Sequence, residues 1–206
     1  MCAGRTAGRC PRSGRCRRGP GRSPARGRAA VTRGAGILGA IIAGGKAQRF
    51  GSDKALALFD GKTLIDHAID ALRPQVDALV LCGRDHAGVE RIDDRPEPGI
   101  GPMGAINAAL HRAVEQGFHG VLSVPVDVLP LPDDLCERLG TDRLACFDQQ
   151  FLVAFWPARL AGEVERFVAE GGLKPARLLD MLGAARVPDP IGIANVNRPG
   201  DLERLR

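Results

Sequence analysis

The first 36 residues contain no acidic residue, no aromatic residue and almost no large apolar side chain. They hold ten of the 29 basic residues, all of them arginine, set among Gly, Pro and Ser. Such a composition cannot bury enough surface to offset the entropy of ordering, so residues 1–36 are expected to form a disordered tail. With no aromatics to stack on bases, the tail is a poor nucleic-acid arm. With no apolar stretch after its basic residues, it is a poor secretory leader. The other 19 basic residues face 24 acids, so residues 37–206 are net acidic although the whole chain carries +5.

Further absences narrow the class. None of the six cysteines (Cys2, Cys10, Cys16, Cys82, Cys136 and Cys146) forms a CxxC pair, which argues against a zinc site or a disulfide framework. No stretch approaches the roughly 18 apolar residues that would cross a membrane. Both point to a protein of the reducing cytoplasm with no membrane partner. The four histidines, His67, His86, His111 and His119, show no ligand spacing. There is no internal repeat and no internal linker, so residues 37–206 read as one domain.

Within that domain, short apolar runs alternate with amphipathic segments. Strands are expected over 38–44, 77–83, 89–94, 120–127, 143–147 and 151–157, and helices over 63–74, 103–117, 133–140 and 158–171. Alternation at this spacing predicts βαβ units and an α/β, Rossmann-like, mostly parallel sheet with helices on both faces. In such sheets ligands sit outside the carboxyl ends of the strands. Three candidate positions fall there: Gly44-Gly45 at the end of the first strand, Asp94 closing the third, and Asp127 closing the fourth.

The first of these belongs to IIAGGKAQRFGSDKAL, residues 41–56. Two glycines at a strand end expose backbone N–H groups and let a phosphate approach without meeting a Cβ. Arg49 offers a planar fork and Lys54 a compact point charge. The spacing is neither GxxxxGK(S/T) nor GxGxxG, and taken alone it is more often that of an ordinary polar turn.

The stretch is similar to the L-A-G-G-x-x-x-R-M-G-x-D-K-x-L signature of the molybdenum cofactor guanylyltransferases, a branch of the α/β nucleotidyltransferases. Four further segments resemble that family in order: FDGKTLIDHAIDAL, GPMGAINAAL, SVPVDVLPLPDDL and NVNRPGDL. Together they span residues 38–206. The resemblance implies a single nucleotidyltransferase domain that transfers GMP from GTP to the terminal phosphate of molybdopterin and releases pyrophosphate, with magnesium as cofactor. By position, Ile42, Ala43, Gly44 and Gly45 would cradle the nucleotide, and Lys54 would contact its phosphates. Asp94 would bind the nucleotide, and Asp127 would bind both nucleotide and magnesium. Lys54, Asp127 and Arg49 are the catalytic candidates, and Asn197 is a candidate second metal ligand. Cys82 stands where the family often has an asparagine, and a thiol is a weak donor. Trp156, Lys174 and Arg177 are candidates for the acceptor side, although a tryptophan in such a run is more often core and two such cations on a short helix are more often solvated surface. Molybdoenzymes or cofactor-delivery proteins are the implied partners. Two other readings stay open: a sister cytidylyl- or sugar-phosphate nucleotidyltransferase, and a non-catalytic nucleotide-binding protein in cofactor delivery.

Overall fold

The computed structural model describes residues 36–44, 53–189 and 191–205. The arginine-rich segment up to residue 35 and the candidates Gly45 and Arg49 lie outside the described residues.

Seven strands form one sheet: β1 (Ile37–Ile42), β2 (Ala78–Cys82), β3 (Glu90–Ile92), β4 (Gly120–Pro125), β5 (Ala145–Phe147), β6 (Ala154–Pro157) and β7 (Ala185–Val187). Their order is β7-β5-β6-β4-β1-β2-β3. All neighbours are parallel except at β6, which runs antiparallel to both β4 and β5. Helices α1 (Leu64–Leu72), α2 (Pro102–Gln116), α3 (Leu135–Leu139), α4 (Ala161–Ala169), α5 (Pro175–Met181) and α6 (Pro199–Glu203) cover the two faces.

The faces follow from the period of two along each strand. Leu38, Ala40 and Ile42 of β1 join α2, α4 and α5 in one apolar layer, while Ile41 turns to the layer shared with α1, α3 and α6. On β6, Ala154 and Trp156 face the first layer and Phe155 the second. Trp156 is completely buried, and its Nε1–H donates to Ser123 Oγ at 3.0 Å. The sole tryptophan is therefore a core residue with a satisfied polar edge, not an acceptor-side contact.

Local chemistry sets the helices that frame the sheet. Thr63 caps α1 by accepting from Asp66 N at 3.2 Å, and the Asp66 carboxylate accepts from Thr63 N in return. Leu64, Ile65, Ala68, Ile69 and Leu72 then bury one helical stripe. Pro102 opens α2 at the position where its missing N–H leaves no bond unmade.

Several boundaries differ from the sequence expectation. The run 151–157 becomes a strand only from Ala154, because Phe147 and Gln150 pair with Val153 in a turn first. The segment 158–171 begins as a 3-10 turn over Ala158–Leu160 before α4. β7 was not expected: three residues at a sheet edge are too short to show a period. Among the described residues, no helix is long and apolar enough to cross a membrane, and Cys82, Cys136 and Cys146 are free thiols.

Candidate active site

β1, β2 and β4 are parallel neighbours, so their carboxyl ends open on one edge of the sheet. Ile42, Ala43 and Gly44 leave β1 there, Arg84 follows β2, and Pro125, Val126 and Asp127 end β4. Asp53, Lys54 and Ala55 close over them, and these residues line one cleft together with Pro102 and Leu152. Lys54 starts a 3-10 turn (Lys54–Leu56) whose cap is Asp53, with Oδ1 accepting from Ala55 N at 3.2 Å.

Two ion pairs cross this cleft. Lys54 Nζ lies 2.7 Å from Asp127 Oδ2 and donates also to Asn197 Oδ1 at 3.2 Å. Asp53 Oδ2 accepts from Arg84 Nη1, and that guanidinium holds the Asp53 carboxyl below its usual range. Adjacent residues of the chain thus reach opposite ways: Lys54 toward the end of β4, Asp53 toward the end of β2.

Two further cavities flank the cleft. On the β2 side, Gly44, Gly83, Asp94, Gly99 and Gly101 line a cavity that shares Gly44 with the cleft. Gly83 takes φ +76, and a Cβ there would stand 3.2 Å from the Gly44 Cα, so this turn requires glycine. A Cβ on Gly44 would meet only ordinary contacts, the nearest at 3.8 Å. The room beside Gly44 is therefore not consumed by packing. Asp94 is buried; its Oδ2 accepts from Gly99 N at 3.0 Å, while Oδ1 has no partner among the described residues. Burial pushes its carboxyl above the usual range.

On the β4 side, Asp127, Gln149, Gln150, Phe151, Leu173 and Lys174 line a third cavity. Asp127, Pro102, Pro125 and Leu152 belong to both this cavity and the central cleft. Asp127 therefore stands on the shared wall. Arg177 is solvent-exposed and does not line this cavity.

The structure brings Ile42, Ala43, Gly44, Lys54 and Asp127 into one cleft and sets Asp94 in the adjoining cavity. Cys82 does not join them. Its side chain is wholly buried against α2, its thiol donates to Ala105 O at 3.8 Å, and burial pushes its pKa up to about 12. Sequence reasoning gave no role to Arg84 or Asp53. Arg84 lies two residues beyond β2, at a strand end where ligands gather in such sheets, but within a stretch that reads as a polar turn.

A mostly parallel sheet whose strand ends gather cations and a carboxylate around a glycine-floored cleft suits the phosphates of a nucleotide, and the class it matches is the nucleotidyltransferases. The chain belongs to the MobA-like NTP transferase family, whose model matches residues 39–186. It is 35% identical to the molybdenum cofactor guanylyltransferase of Rhodobacter capsulatus over 82% of this chain and 94% of that one. It is 32% identical to the enzyme of the same name from Acidiphilium cryptum, again over 82% and 94%. The fold is shared with molybdopterin-guanine dinucleotide biosynthesis protein A of Archaeoglobus fulgidus (TM-score 0.66, 24% identity, 81% of this chain and 95% of that one). It is shared also with 2-C-methyl-D-erythritol 4-phosphate cytidylyltransferase of Thermus thermophilus (TM-score 0.59, 16% identity, 80% and 95%). The fold alone therefore does not choose the base.

Proposed function

We propose that the protein transfers GMP from GTP to the terminal phosphate of molybdopterin and releases pyrophosphate. One observation carries the reading: Asp127 and Asn197 hold a cationic nitrogen between two hard oxygens, on a wall that two ligand-sized cavities share. The nucleotide enters from the β2 side and the acceptor from the β4 side, so their phosphates meet at Asp127.

The attacking phosphate needs no general base, because it is already anionic near neutral pH. Its oxygen bonds to the α-phosphorus, the bond to the β-phosphate bridging oxygen breaks, and pyrophosphate leaves with that electron pair. The protein's task is to orient the phosphates in line and to neutralise them. Lys54 supplies a compact cation beside the α-phosphate. Helix α2 points its amino end, Gly101-Pro102, at the cavities and adds a partial positive charge.

The donor set fits magnesium. Among the described residues no group of three or more His, Cys, Asp or Glu forms a metal cage. A site of one carboxylate, with an amide oxygen nearby, suits an ion that keeps waters and substrate phosphates as its other ligands. Asp127 would hold it, with Asn197 beside it, and when bound it would neutralise the phosphates.

Guanine is favoured by Asp94. Asp94 lines the β2-side cavity, and its carboxylate, when ionised, would accept from the adjacent N1–H and N2–H groups of guanine, whereas adenine presents an acceptor at N1. A thermal-shift series with GTP, CTP, ATP and UTP in magnesium tests this, since the nucleotide bound most tightly raises the melting temperature most. GTP should stand apart. A larger shift with CTP would move the protein to the cytidylyl branch.

A further inference from the structure

Arg84 is not needed to explain the chemistry above, yet it lines the cleft. Among the described residues its ionic partner is Asp53 alone. Lys54 and Arg84 are the two cations of the described cleft, and at rest each is matched by one carboxylate, Asp127 and Asp53. Among the described residues, the cations of the cleft are free to attract a triphosphate only when those pairs part.

The two pairs differ in what parting them leaves behind. Asp53 is 40% exposed against 24% for Arg84, so the carboxylate has water to turn to. A partly exposed pair of this kind contributes little to stability, and Asp53 keeps its other bond, to Ala55 N. A guanidinium gains more from a phosphate, which it can bind through two parallel hydrogen bonds.

Position decides which phosphates. The acceptor cavity adjoins the cleft on the β4 side, across Asp127. In-line displacement sends the leaving group away from the acceptor. β2, with Arg84 at its end, lies on the far side of β1 from β4. We propose that Arg84 is the cation that receives the β- and γ-phosphates and holds the departing pyrophosphate, and that Asp53 masks it until a nucleotide arrives. This rests on the reading that a nucleoside triphosphate occupies the cleft, but not on which base it carries.

The alternative is a permanent clamp, in which the Asp53–Arg84 pair only fixes the turn that bears Lys54. The two accounts give opposite signs for one substitution. Titrations of GTP, GMP and inorganic pyrophosphate into the wild type, Arg84→Gln, Asp53→Asn and the double variant separate them, with melting curves as a check on folding. Asparagine can still cap Ala55 N. Arg84→Gln should weaken GTP and pyrophosphate by roughly tenfold or more, the scale of a lost bond to a charged group, with GMP nearly unchanged. Asp53→Asn should tighten GTP and pyrophosphate, and that gain should vanish in the Arg84→Gln background. A clamp predicts that Asp53→Asn weakens GTP as Arg84→Gln does, with GMP weakened alongside; that result, or an unchanged affinity, overturns the proposal. Pyrophosphate carries no base, so a wild type that binds it but prefers CTP would end the guanine reading and leave this one standing. A wild type that binds neither pyrophosphate nor GTP would end both.

Discussion

Lys54 Nζ donates to Asp127 Oδ2 at 2.7 Å, a contact between residues 73 apart in sequence that joins the turn above the cleft to the end of β4. The side chains are 14% and 29% exposed, so the pair is screened less than a surface pair but is still reachable by a ligand. In the proposed reaction Asp127 and Asn197, which hold the Lys54 ammonium here, would pass to magnesium. Loading the site therefore means moving Lys54 from carboxylate to phosphate.

Removing the carboxylate should stop transfer without unfolding the protein. Asp127→Asn is expected to lower turnover by roughly two orders of magnitude or more, the scale of losing one preorganised electrostatic group. Its melting transition should stay cooperative. Turnover at saturating magnesium measures this, and near-normal rates would remove Asp127 from the site.

Lys54→Ala should weaken GTP more than molybdopterin, read by titrating each substrate separately. Lys54→Arg should not restore the affinity. A planar fork cannot take the place of a compact ammonium held at 2.7 Å and 3.2 Å from two oxygens.

Asp94→Asn separates function from stability. Burial raises the folded carboxyl above its unfolded value, so the protonated form is the one folding favours. Its contribution to stability is present below the unfolded pKa and is lost as pH rises through the folded one. Above the folded pKa the ionised group therefore weakens the fold. The neutral asparagine should melt at the same temperature or higher, while GTP affinity falls about tenfold or more. In the wild type, GTP affinity should decline as pH falls toward the raised Asp94 value, and in the variant that decline should flatten.

Cys82→Ala should leave GTP affinity unchanged, because the thiol packs against α2 and not in the cleft. It should lower stability by about 1 kcal/mol, the scale of deleting one buried group. Denaturant melts and nucleotide titration on the same sample give both values.

The central strands were legible in the sequence because both of their faces are buried: ILGAII has no polar side chain and GVLSVP only Ser123, and they lead to Ala43-Gly44 and Asp127. Lys54 and Asp127 were legible through their motifs, and Asp94 by resemblance, although its unpartnered oxygen was not. Arg84 was not legible, since Cys-Gly-Arg-Asp reads as a polar turn until the fold brings Asp53 to it from 31 residues earlier. Whether Cys82 reaches the cleft was not legible for a related reason. A strand's last residue faces either the cleft edge or a helix, and only the packing of α2 decides which. The edge strand β7 is three partly exposed residues, too few to carry a period.

The account stands or falls on the reaction itself. Purified protein with molybdopterin, magnesium and GTP labelled at the α-phosphate should yield labelled guanine dinucleotide cofactor and one pyrophosphate for each label transferred, with CTP, ATP and UTP far slower. Faster transfer from CTP, or label released as free GMP with none on the pterin, would contradict it.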